Sequence, residues 1–162
     1  MLPSCDVAPP PAGLRLIAIG ASAGGVEALG IVLRALPATC RAAVVVVLHL
    51  APGRSSQLPQ LYAERCQLRL REAQDKEPLQ PGVVYFAPPD YHLLLDRGPQ
   101  LALSVDDLVH FSRPSIDVLF ESAAENAFAQ DLVARGLSGD DMPLASLAHG
   151  YVATAQAALG LD

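Results

Sequence analysis

Residues 44–48 read Val-Val-Val-Val-Leu, and this run limits the possible folds more than any other stretch of the chain. β-Branched side chains are stiff at χ1 and favour extended backbone. A strand with no polar alternation needs cover on both faces, the arrangement of parallel sheets flanked by helices. The run ends at His49, with Pro52 and Gly53 just beyond. Upstream, 14–19 is a shorter β-rich run that leads through a glycine-rich turn, 20–25, into an apolar-periodic stretch at 26–36. Strand, tight turn, helix and strand in that order predict a parallel βαβ unit.

The rest of the chain extends this pattern. Residues 55–66 read as a second helix with Ser55 or Ser56 as its N-cap. Between 68 and 104, short strand-like pieces at 68–71, 83–87, 92–95 and 101–104 are separated by Pro, Gly and Asp, which predicts an antiparallel or mixed excursion at one edge. After Pro114 the helical period returns, with Ile116, Leu119, Phe120 and Ala123 on one face and Ser115 or Asp117 helping to start the helix. Residues 132–137 fit the next parallel strand, 144–148 a short helix and 151–154 a last strand fragment. The expected fold is α/β: a doubly wound, mostly parallel sheet with helices on both faces. A flexible Pro-rich leader, 1–13, is expected ahead of a single domain, 14–162.

Composition narrows the function. With 162 residues the chain has room for one ordinary domain, and 51% hydrophobic against 17% charged residues excludes disorder. A net charge of -6 leaves no general basic surface to neutralise a phosphate backbone, so nucleic acid is not an expected partner. The longest apolar run, 42–48, falls well short of the ~20 residues that cross a bilayer. Residues 1–13 hold Asp6 and four prolines but no basic residue, unlike a signal peptide, and a cytoplasmic location is expected. Cys5, Cys40 and Cys66 are odd in number and lack metal-ligand spacing, which fits reduced thiols, with Cys40 and Cys66 as small core or helix-end residues.

The chemistry-bearing feature is Gly-Ala-Ser-Ala-Gly at 20–24, a G-x-S-x-G between strand and helix. Small neighbours let the backbone turn sharply there and lift the Ser22 hydroxyl to the carboxyl edge of the sheet, where amides opening the helix can hold an oxyanion. The same pattern also suits a phosphate-binding turn or close packing of strand on helix. Ser22 stands where a GxGxxG fingerprint has its second glycine, and no Walker Lys-Ser or Lys-Thr pair follows. His49 lies at the carboxyl end of the next parallel strand, about 5 Å away, and is a candidate general base for Ser22; a capping or half-buried histidine is the other reading. Asp140 and Asp141 follow the 132–137 run, and one of them can orient His49, although an Asp pair before Met-Pro also resembles a helix N-cap.

Weaker candidates are the turn at 88–92 with His92, a candidate cover for the pocket, the isolated His110 and His149, and a basic cluster of Arg65, Arg69 and Arg71. No HExxH, CxxC pair or carboxylate cluster appears, so neither a metal nor another cofactor is implied.

Four stretches taken together resemble a known family. They are Ile-Ala-Ile-Gly-Ala-Ser-Ala-Gly-Gly-Val-Glu-Ala-Leu at 17–29, the run 44–49, Pro-Gly-Val-Val-Tyr-Phe-Ala-Pro-Pro at 81–89 with His92, and Arg-Pro-Ser-Ile-Asp-Val-Leu-Phe-Glu-Ser at 113–122. In order and spacing they are similar to the catalytic domain of CheB-type chemotaxis protein-glutamate methylesterases. The resemblance implies hydrolysis of γ-glutamyl methyl esters on the cytoplasmic helices of chemoreceptors, with deamidation of glutamine there in many members. It places the nucleophile at Ser22 and the histidine at His49, with Ala23, Gly24 and His92 lining the site. Ala23 stands where the family often has threonine. The family's acid lies in a pattern resembling Leu-Thr-Gly-Met-Gly-x-Asp-Gly, whereas this chain reads Leu-Ser-Gly-Asp-Asp-Met-Pro at 137–143. Asp141 is the expected acid and Asp140 the alternative. The C-terminal part looks shortened, and only about a dozen residues precede the first strand, so no receiver domain is expected.

The expected function is therefore ester hydrolysis by a Ser-His-Asp mechanism in chemotaxis-type signalling, with methylated chemoreceptor helices or a similar signalling protein as partner. The alternative is a catalytically degenerate chemosensory binding module of the same fold. The altered stretch 137–143 separates the two.

Overall fold

The computed structural model describes residues 15–22, 24–49, 57–97, 99–125 and 132–137. Five parallel strands form the main sheet in the order β3-β4-β2-β1-β7. They are β1 (Arg15–Ala21), β2 (Ala42–Leu48), β3 (Arg69–Glu72), β4 (Val83–Phe86) and β7 (Leu132–Leu137). A separate antiparallel pair joins β5 (His92–Asp96) to β6 (Gln100–Ser104). The helices are α1 (Gly25–Ala35), α2 (Leu58–Tyr62) and α3 (Ile116–Glu125).

Alternation along the strands feeds two cores. Ile17, Ile19, Ala21, Val44, Val46, Leu48, Val84 and Phe86 pack with Ala28, Leu29, Val32 and Leu33 of α1 and with Leu58 and Tyr62 of α2. Leu16, Ala18, Val45, Val47, Val83 and Tyr85 pack on the other face with Leu93, Leu95 and Leu101 of the antiparallel pair and Leu119 and Ala123 of α3. Every residue of β2 is buried, as its unbroken apolar run requires. Each fully buried valine or leucine contributes roughly 1.5–3 kcal/mol of transfer free energy. Such burial outweighs the loss of main-chain freedom only because both faces are covered.

The layout is doubly wound, as the sequence predicts, with two differences in detail. The pieces at 68–71 and 83–87 join the parallel sheet as β3 and β4, so the antiparallel part narrows to β5 and β6. The second helix is shorter than 55–66, since α2 starts after Gln57 and carries Pro59 in its first turn; Ser55 and Ser56 lie outside the described residues. So do the leader 1–13 and the elements expected at 144–148 and 151–154.

Candidate active site

Register sets the geometry of the site. Ala21, the last residue of β1, pairs with Leu48, the last of β2. The His49 N–H donates to the Ala21 carbonyl at 2.9 Å. Ser22 and His49 are thus the first residues beyond two neighbouring strand ends, on strands roughly 4.8 Å apart. In open parallel sheets this carboxyl edge is where ligands and catalytic groups collect.

Glycines make the turn possible, each for its own reason. Gly24 adopts the left-handed region at φ 73°, which costs an L side chain strain, and caps α1 with no side-chain hydrogen bond. The Gly25 N–H donates back to the Ser22 carbonyl at 2.7 Å and closes the turn. A Cβ on Gly25 would stand 2.7 Å from the Ala21 Cβ and 2.9 Å from Leu48 Cδ1. On Gly20 a Cβ would drive into Cγ2 of Ile116, the first residue of α3. The small residues therefore bring two helix starts against the end of β1, and the uncapped first turn of α1 presents its amides at this edge.

His49 supplies the polar anomaly of the site. The residue is half-buried, yet its Nε2 is sealed from solvent and has no hydrogen-bond partner. A buried ring nitrogen left unpaired is costly, and in a native structure such a group calls for an explanation in strain, catalysis or a ligand. No hydrogen bond joins the Ser22 hydroxyl to the imidazole in this structure. Catalytic hydrogen bonds are commonly long in the free enzyme and tighten when substrate closes over them.

His92 opens β5 and is 1% exposed. Its Nε2 lies 2.9 Å from the Asp107 carbonyl, and its Nδ1 accepts from the Ser115 N–H at 3.2 Å. Of these two groups, Ser115 immediately precedes Ile116, the residue that lies against Gly20. Asp140 and Asp141 lie outside the described residues, as does Ala23. The structure does place the end of β7, Leu137, in register with Ala21, so the chain leaves β7 at the same edge as Ser22 and His49.

Among the weaker candidates, His110, Arg69 and Arg71 resolve into structural roles, while His149 lies outside the described residues. His110 has a partner after all, the Asp117 carboxylate at 3.5 Å on an exposed surface. Arg71 pairs with Glu77 and lies over the Tyr85 ring at 5.8 Å, while Arg69 donates to Gln80 Oε1 at 3.3 Å. Tyr62 stacks on Phe86 at 5.9 Å and donates its hydroxyl to the Val26 carbonyl at 2.6 Å, fastening α2 to the first turn of α1. Burial pushes that phenol up to about 12, so it remains a donor throughout the working pH range. Sequence reasoning missed the contact of Ile116 with the backbone of Gly20. The one available signal was a glycine ahead of the serine with no turn of its own to make.

A serine on a strand-to-helix turn beside an unpaired histidine at the next strand end defines an α/β protein with the layout of a serine esterase. Comparison with known proteins agrees. The sequence profile of the CheB methylesterase family matches residues 17–154, and the chain belongs to that family. It is 42% identical over 132 residues to a protein-glutamate methylesterase/protein-glutamine glutaminase of Bradyrhizobium diazoefficiens, covering 78% of this chain and 36% of the relative. Against the protein of the same name from Salmonella typhimurium the identity is 41% over 116 residues, covering 70% and 33%. The matched stretch spans between 33% and 56% of the length of such relatives. Among solved structures, the Thermotoga maritima CheB methylesterase catalytic domain superposes with a TM-score of 0.72 at 32% identity, covering 86% of this chain and 77% of that one.

Proposed function

We propose that this chain hydrolyses γ-glutamyl methyl esters on the cytoplasmic helices of chemoreceptors. Ser22 Oγ attacks the ester carbonyl carbon while His49 takes the hydroxyl proton, and the Ala23 amide with the first turn of α1 holds the oxyanion. The carbon–methoxy bond breaks, the imidazolium returns its proton, and methanol leaves. Water, deprotonated by His49, then releases the glutamate carboxylate and restores Ser22. Glutamine deamidation follows the same steps with ammonia as the leaving group. Asp141, or Asp140 in its place, holds the imidazole in the right tautomer.

The observation that carries this reading is the unpartnered, buried Nε2 of His49 one residue beyond the strand end paired with that of Ser22. An imidazole kept as a structural cap would spend that nitrogen on a neighbour. The working location is the cytoplasm, where the receptor helices lie. No helix among the described residues is long and apolar enough to cross a membrane. The test is methanol release from methylated receptor fragments: wild type releases it, Ser22→Ala does not, and equal release from both overturns the proposal.

A further inference from the structure

The structure assigns His92 a role as a positioning residue: a neutral imidazole that fixes the start of α3 over the turn carrying Ser22. The inference rests on Ser22 as nucleophile and concerns how that residue is held. The Ser115 N–H is only a donor, so His92 Nδ1 must be unprotonated to accept from it. The Asp107 carbonyl is only an acceptor, so Nε2 carries the hydrogen. The two bonds select one neutral tautomer, and an imidazolium would set the Nδ1 hydrogen against the Ser115 N–H.

What the ring holds is the segment 107–115. Inside it, Val109 and Ser112 exchange both backbone hydrogen bonds, at 3.1 and 3.0 Å, around His110 and Phe111, whose φ values are 48° and 62°. Such left-handed residues persist where their surroundings hold them. Arg113 Nη1 adds bonds to the Val105 and Asp106 carbonyls at 3.0 and 3.1 Å. Ser115 is followed at once by Ile116, whose side chain sits against the backbone of Gly20, two residues ahead of Ser22. A continuous chain of contacts therefore runs from His92 through Ser115 and Ile116 to the turn.

Two isosteric substitutions separate the arms of this clamp. His92→Asn keeps an acceptor at the place of Nδ1, His92→Gln keeps a donor at the place of Nε2, and His92→Leu keeps neither. The readout is the rate at which a serine-directed phosphonate labels Ser22, measured with the thermal midpoint of each variant. Wild type is expected to label. His92→Leu should label on the order of 10- to 100-fold more slowly at temperatures where it is still folded. His92→Asn, which keeps the Ser115 arm, should recover most of that rate and more than His92→Gln does.

Labelling of the leucine variant at the wild-type rate, or equal loss in all three variants, overturns the assignment and leaves Ser22 a nucleophile. Failure of wild type to label at Ser22 removes the nucleophile, and the positioning role with it. Should the leucine variant not fold, the asparagine and glutamine variants still rank the two arms. Nitrogen-15 spectra of the wild-type ring must also show hydrogen on Nε2 alone; any other protonation pattern near neutral pH overturns the assignment.

Discussion

The two edges of the parallel sheet are built to opposite ends. At the amino edge, where β2, β3 and β4 begin, the Gly82 N–H donates to Ala42 and the Cys40 N–H to Pro37, at 2.8 and 2.9 Å. A shallow cavity of about 360 Å³ opens there between Thr39, Arg41, Gln67 and Arg69. At the carboxyl edge, His49 Nε2 is buried and unpaired, and Val26 and Tyr91 stand exposed on the connections that leave β1 and β4. Among the described residues, three of the four non-glycine residues with positive φ, Asp90, His110 and Phe111, lie on loops serving this edge. Unspent hydrogen-bonding capacity and strained backbone are costs, and a fold retains them together where they serve chemistry.

The sharpest way to break this contrast is at the carboxyl edge itself. Ser22→Ala should lower methanol release on the order of 10⁴-fold or more while the far-ultraviolet circular dichroism stays that of wild type. Arg41→Ser at the amino edge should leave release unchanged. If the two variants behaved alike, the edges would not differ in function. Next in size is the acid. Asp141→Asn should cost up to ~10⁴-fold, since the neutral imidazole then loses the partner that fixes its tautomer, and Asp140→Asn should cost little. The reverse pattern moves the acid to Asp140. Full activity in both variants removes the third member and favours a binding module.

A smaller effect is expected from packing. Gly20→Ala forces a methyl group into Ile116 and should destabilise by ~1–3 kcal/mol, the usual range for overpacking, read as a lowered thermal midpoint. The double variant Gly20→Ala with Ile116→Ala should recover part of that loss, because the two changes share one contact. Strictly additive losses would show that α3 does not rest on Gly20.

How far the sequence foretells this molecule depends on whether the signal is local. The strands β1, β2 and β7 and the helices α1 and α3 follow from runs and periods contained within each segment, and Ser22 and His49 stand out because each sits at the end of such a run. The membership of β3 in the parallel sheet is not visible in Arg69-Leu-Arg-Glu72, which is mostly exposed and reads as any edge strand. Its direction is set by pairing with Val83–Phe86 across a connection containing Pro78 and Pro81, a tertiary fact. The same holds for His92. Its residue type suggested a site, but its bonds to Asp107 and Ser115 join segments 15 and 23 residues away. The acid was the least legible, for the residues around Asp140 and Asp141 carry neither a run nor a period.

The finest contrast between the edges is in their nucleophiles. Cys40 at the amino edge is 2% exposed, and burial raises its thiol above the ordinary range, only partly offset by the Ala42 amide. Cys66 is shifted the same way, again chiefly by burial, but is more accessible. A raised thiol pKa means less thiolate at every pH below it, so iodoacetamide should modify native Cys40 more slowly than Cys66, and both more slowly than in the unfolded chain. The linkage has a definite sign. The neutral thiol is the form the fold prefers, so its contribution to stability is complete below the unfolded thiol range and is lost as the pH climbs through the raised folded value. Unfolding midpoints taken from neutral to alkaline pH should therefore fall less steeply in Cys40→Ala than in wild type. Rapid alkylation of native Cys40 at neutral pH would place a reactive group at the amino edge and erase the contrast.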